Sequence, residues 1–103
     1  MKEAAVEHYA RRRVKEVGGV IRKVRWIGRR DAPDRLILLP GYFVRGSNGQ
    51  LWVAPRQVWV EFKRPGEKPR ASQLREHTAM RKFGCIVCVI DSFEGVDDLL
   101  REA

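Results

Sequence analysis

Cysteine is scarce in this chain, at two of 103 residues. That is too few for a disulfide scaffold, so a reducing, cytoplasmic setting is expected. Long apolar runs are missing too. The longest, Cys85 to Ile90, has six residues, against about 20 for a membrane-spanning helix. No apolar stretch follows the charged first residues, so no secretory signal and no membrane partner are expected. Repeats and low-complexity segments are also absent, and the length suits one hydrophobic core, so a single domain over 1–103 is expected. What the chain has little of above all is negative charge. Its 13 Asp and Glu face 21 Lys and Arg, for a net charge of +8. With 44% hydrophobic residues and three Trp, it is too apolar for a disordered basic tail. The partner to expect is a polyanion.

The positive charge is not spread evenly. Residues 1–30 carry ten basic and three acidic side chains, and residues 61–83 carry seven and three. The last twenty residues reverse the sign, with five acids and one base. Two basic blocks therefore flank the apolar middle of the chain. A fold that joins them would offer a track for a phosphate backbone.

Apolar spacing predicts the elements. Val6, Ala10, Val14 and Val17 step by four, four and three, which predicts a helix over 3–17 that ends at Gly18-Gly19. Strands are predicted over Val20 to Ile27, Leu36 to Leu39, Gln57 to Lys63 and Cys85 to Asp91. Tyr42 to Val44 and Leu51 to Val53 flank Gly46-Ser47-Asn48-Gly49, a hairpin signal. A second helix is predicted over 71–83, with a thin stripe of Leu74, Met80 and Phe83, and a short one over Glu94 to Glu102. The order α, strands, α, β, α predicts an α/β fold around a central mixed sheet of four to five strands flanked by helices.

Three residues carry the chemistry. Side chains two apart on a strand share a face, so Glu61 and Lys63 project together, roughly 7 Å apart at Cα. Asp34 precedes a neighbouring strand and would bring a second carboxylate. Two carboxylates beside an ammonium are the parts of a metal-dependent phosphodiester cleavage site. Hard oxygen ligands suit Mg²⁺ or Mn²⁺, whose charge polarises the phosphoryl group and acidifies water. The lysine can orient that water and offset charge in the transition state. A Glu-x-Lys triplet alone is more often a salt bridge on a solvated face.

The context is more specific. Glu7, the Glu16-Val17-Gly18-Gly19 helix end and Pro33-Asp34-Arg35-Leu36 come first. Val60-Glu61-Phe62-Lys63 with Pro65-Gly66, then Gln73, Gly84 and Val89-Ile90-Asp91-Ser92 follow. This order resembles the PD-(D/E)xK nuclease superfamily, with its restriction-endonuclease-like core. More closely it resembles the small stand-alone VRR-NUC domains, known from phages and related to Holliday-junction resolvases. The resemblance implies Asp34 and Glu61 as metal carboxylates, the backbone carbonyl of Phe62 as a further ligand and Lys63 as the catalytic lysine. It implies Gln73 as a residue shaping the site, and Glu7 as an acid contacting the metal directly or through water. Glu3, one helical turn earlier, competes with Glu7. Asp31 stands where the family usually has glycine, and is an alternative acidic ligand.

Arg11, Arg12, Lys68, Arg70 and Arg75 are the phosphate candidates, the last three because they lie near the Glu61 side of the sheet. Tyr42, Trp52 and Trp59 are placed equally well by base stacking or by packing. Cys85 and Cys88 have Cys-x-x-Cys spacing, yet on a strand they face opposite sides and belong to the core. His8 and His77 have no ligand-like spacing and are expected at the surface or in a groove.

The resemblance implies a Mg²⁺- or Mn²⁺-dependent DNA endonuclease selective for branched or duplex DNA of four-way-junction type, acting as a homodimer. A helicase or recombination partner and the cytoplasm, the host's if phage-encoded, complete that expectation. The competing readings are a non-catalytic basic DNA-binding module that recruits another enzyme, and a flap or mismatch nuclease.

Overall fold

Parity along one strand organises this fold, a computed structural model described over residues 2–101. The elements are α1 (Glu3–Glu16), β1 (Val20–Lys23), β2 (Arg35–Leu39), β3 (Tyr42–Gly46), β4 (Gly49–Val53), β5 (Arg56–Phe62), α2 (Ala71–Lys82), β6 (Ile86–Ile90) and α3 (Phe93–Arg101). Four strands form the main sheet in the order β1-β2-β5-β6, while β3 and β4 pair with each other in a separate two-stranded sheet. The β1–β2 and β2–β5 pairs are antiparallel and β5–β6 is parallel, so the sheet is mixed. The expected α/β architecture is the one observed.

Val58, Val60 and Phe62 of β5 point to one face of the sheet and are buried. They join Ile37 and Leu39 of β2, Val6, Ala10 and Val14 of α1, and Val96 and Leu99 of α3 in one apolar cluster. The spacing of the α1 residues is that of a single helical stripe, which is why that helix lies against this face. The opposite face carries α2 over a smaller cluster of Ala32, Met80 and Val87, edged by Trp26, Trp59 and Cys85. Cys88 packs on the first face and Cys85 on the second, so the pair is split as expected.

Both longer helices stop the same way. After α1, Gly19 N–H donates to Val14 O and Gly18 N–H to Lys15 O, with Gly18 at φ +82°. After α2, Cys85 N–H and Gly84 N–H repeat that pattern on Met80 and Arg81, with Gly84 at φ +86°. Each is a left-handed helix cap that favours glycine and turns the chain straight into a strand.

Three expectations need correction. β1 ends at Lys23, because Trp26 turns off the strand line and its indole N–H donates to Pro33 O at 2.8 Å. Ile27 is consequently 93% exposed. The stripe drawn on α2 is also displaced. Gln73, His77 and Met80 are its buried residues, while Leu74 and Phe83 are exposed. His77, expected at the surface or in a groove, is fully buried, because its position one turn after Gln73 puts it on the inner side of the helix. The third helix, expected over 94–102, begins at Phe93, and residue 102 lies outside the described residues.

Candidate active site

The ladder between β2 and β5 sets the centre of the site. Arg35 is the register partner of Val60, so one step further along the antiparallel pair Asp34 comes opposite Glu61. Opposed residues share a face, here the α2 face. Three bonds hold this end of the sheet. Val24 N–H donates to Asp34 O at 2.8 Å, Trp26 fixes the carbonyl of the buried Pro33, and Lys63 N–H donates to Ile90 O at 2.9 Å. Asp34, Glu61 and Gln73 line one cleft of about 390 Å³ together with Lys23, Arg25, Arg29 and Arg30.

Charge in this cleft is poised. Burial pushes the Glu61 carboxyl up to about 7, and the negative charges of Asp34 and Glu3 add to the rise, while Lys63 and Arg70 oppose it. A carboxylate held among like charges is one that an added cation would stabilise. Among the described residues no group of three or more His, Cys, Asp or Glu is placed to hold a metal ion. Two carboxylates and an open cleft still fit Mg²⁺, which keeps several waters and takes further oxygens from substrate phosphate. The donor set is therefore compatible with the expected ion.

The remaining expected residues divide into two groups. Gln73 is buried beside the cleft, and its Oε1 accepts the Arg70 N–H at 2.9 Å, so it fixes the start of α2. Arg70 acts on Glu61 electrostatically and pairs with Asp31 at 3.3 Å. Arg75 lines an adjoining recess with Arg29, Arg30 and Asp31. Lys68 is exposed.

On α1 the picture differs. Glu7 forms ion pairs with Arg35 at 2.9 Å and Arg11 at 3.2 Å. Arg35 also reaches Asp34 at 3.0 Å. Glu7 and Arg11 line a separate recess with Glu3, Ala4, His8 and Arg35. Arg12 pairs with Glu16 and lies over the Tyr9 ring. Between Glu3 and Glu7, Glu3 is the one whose charge acts on Glu61.

Lys23, Arg25, Arg29 and Arg30 were not singled out from the sequence, although they lie in its most basic block. Arg29 is tied to α2 through an ion pair with Glu76. The signal for Arg29 and Arg30 was the charged turn between Trp26 and Asp34, which lines the cleft together with Lys23 and Arg25. His77 was the other residue missed, and its signal was the four-residue step from Gln73.

With this geometry in view, the comparisons with known proteins are informative. No protein-family model matches the sequence, so the likeness is carried by whole chains. A solved structure described as a VRR_NUC domain superposes with a TM-score of 0.76 at 39% identity, covering 98% of this chain and 96% of its own. The chain belongs to the VRR-NUC family. A relative by sequence is "Putative nuclease p44" of Acyrthosiphon pisum secondary endosymbiont phage 1. It is 38% identical over 92 residues, which is 89% of this chain and 85% of that protein. In this VRR-NUC chain no described helix is long and apolar enough to cross a membrane.

Proposed function

We propose that this VRR-NUC protein is a Mg²⁺- or Mn²⁺-dependent DNA endonuclease that cleaves four-way-junction-like DNA as a homodimer, with residues 1–103 as one nuclease domain. Its place of action is the cytoplasm, the host's if the chain is phage-encoded. The observation that carries the reading is the meeting of Asp34 and Glu61 at opposed ladder positions in an arginine-lined cleft, with Lys63 two residues along the chain and its charge acting on Glu61.

When bound by Asp34, Glu61 and the Phe62 carbonyl, a divalent cation supplies positive charge that polarises the phosphoryl group and acidifies water. The chain's own groups do the rest. Lys63 donates from its ammonium to the attacking water or to a phosphoryl oxygen as negative charge develops there. Arg25, Arg29, Arg30 and Arg75 hold flanking phosphates, and Arg70 holds charge beside Glu61. Gln73 keeps the start of α2 in place beside the cleft. The homodimer is supported by the β3–β4 hairpin, which leaves Phe43, Val44, Leu51 and Trp52 exposed. Apolar side chains on both faces of a lone hairpin call for a partner, and a second copy would supply the second cut that a junction requires.

Purified protein with Mn²⁺ on a supercoiled plasmid and a synthetic four-way junction, beside Asp34→Ala and Lys63→Ala, tests this reading. Cleavage by the wild type and loss in both variants is expected. Absence of wild-type cleavage, or equal cleavage by the variants, would overturn it. A flap substrate and a linear duplex in parallel decide the preferred DNA structure.

A further inference from the structure

His77 has a hydrogen-bonding problem that its surroundings go far to solve. Its side chain is fully buried, and neither Nδ1 nor Nε2 has a hydrogen-bond partner among the described residues. Buried polar atoms are seldom left so. An apolar side chain would fill this position on α2 without stranding two nitrogens, so packing alone does not account for a histidine there. Nε2 lies 3.8 Å from Glu61 Oε1. That is too long for a hydrogen bond, but a small side-chain rotation on either partner closes it.

We propose that His77 is the positioning residue of Glu61, holding Oε1 through its Nε2–H from the protein side of the cleft. The other carboxylate oxygen is thereby left to turn toward the cleft. Burial, followed by the nearby positive charge of Arg81, pushes the imidazole pKa down, with Lys63 adding to this and Glu76 opposing it. In its neutral form the ring presents one N–H donor. This matters for what it holds. Lys63 and Arg70 also stabilise the Glu61 carboxylate, but each brings a positive charge that competes with a cation. A neutral donor fixes the direction of the carboxylate and leaves its charge intact. Contacts of this kind behind a ligating group set its orientation and its affinity for the ion.

The proposal rests on the reading of Glu61 as a cation-holding carboxylate, so its first test is made without metal. Long-range ¹⁵N NMR of the metal-free protein at pH 8, where the Glu61 carboxyl has lost its proton, is expected to show the Nε2–H tautomer of His77. The imidazole proton should exchange slowly in the wild type and lose that protection in Glu61→Ala. The Nδ1–H tautomer, or an imidazole proton indifferent to Glu61→Ala, would overturn the proposal.

The second test is Mn²⁺ affinity by calorimetry. His77→Leu is expected to weaken it between tenfold and a hundredfold, on the order found for lost outer contacts of metal ligands. His77→Gln places an amide N–H near the position of Nε2 and is expected to recover most of the loss. A merely structural role predicts a lowered melting temperature for His77→Leu with Mn²⁺ affinity unchanged, and that pattern would overturn the proposal. Should His77→Leu fail to fold, His77→Asn, which mimics Nδ1, replaces it against His77→Gln, and equal affinity in the two amides would count against it. A wild type that binds no Mn²⁺ would sink the nuclease reading, while the tautomer still decides the positioning.

Discussion

The two faces of the main sheet are built from alternate residues of the same strands, yet they share almost no chemistry. Under α1 and α3, β5 contributes Val58, Val60 and Phe62 to a continuous apolar cluster. Under α2 the same strand contributes Trp59 and Glu61, and the fully formed apolar cluster shrinks to Ala32, Met80 and Val87. The space that a core would occupy is taken by Glu61, Gln73 and His77. One face stabilises the fold, and the other accepts a destabilised carboxylate. The division is imposed by the period-two geometry of a strand, so substitutions on neighbouring residues should have opposite kinds of effect.

The largest effect expected is on activity. Lys63→Ala should lower DNA cleavage about a thousandfold or more, equivalent to roughly 4 kcal/mol in the barrier, with urea unfolding nearly unchanged. Loss of both activity and stability together would break the separation of the two faces. Next comes the opposite face. Ile37→Ala should cost about 3 kcal/mol of stability by leaving a cavity in the larger cluster, measured by urea unfolding, while the cleavage rate of the folded fraction is preserved.

A smaller effect is expected from Glu61→Gln in the metal-free chain. The folded carboxyl titrates at about 7 against an ordinary value of 4.5. Below pH 4.5 the group is neutral in both states and its contribution is intact. As pH rises toward 7 the unfolded chain ionises while the folded chain keeps its proton, so stability is lost. Glu61→Gln should therefore melt close to the wild type at pH 4 and higher at pH 8, by about 2 kcal/mol. Mg²⁺ should raise the wild type alone at pH 8. The smallest change in stability, within about 0.5 kcal/mol, is expected for Leu51→Lys on the exposed hairpin. Light scattering is the informative measurement there, with the mass expected to fall from dimer to monomer.

The legible part of the molecule follows from the same contrast. Residues that alternate Val-x-Val-x-Phe announce a half-buried strand, and they place Glu61 and Lys63 on the face away from the core. Asp34 was legible because Pro33 precedes it and an apolar strand follows. The α2 face was harder to read. Its inward residues, Gln73, His77 and Met80, follow helical spacing, but two of them are polar and an apolar stripe passes over them. Leu74 and Phe83 attracted that stripe although both are exposed. Where a face is shaped for chemistry, hydrophobicity misreports which side is inside. The arginines of the 24–33 segment were hidden for another reason. Their place over the cleft depends on Trp26 reaching Pro33 and on Arg29 meeting Glu76 across 47 positions of sequence.

The hairpin leaves and rejoins the sheet at a single point. Leu39 and Arg56 are register partners, the last rung of the β2–β5 ladder. Residues 40–55 therefore join two chain ends that already lie side by side, and a tight turn would close the same gap. Topologically the segment is an insertion that can be excised, lengthened or exchanged with no strand of the main sheet re-threaded. Whatever the hairpin recognises can thus be altered independently of the cleft, which lies at the far end of the same two strands.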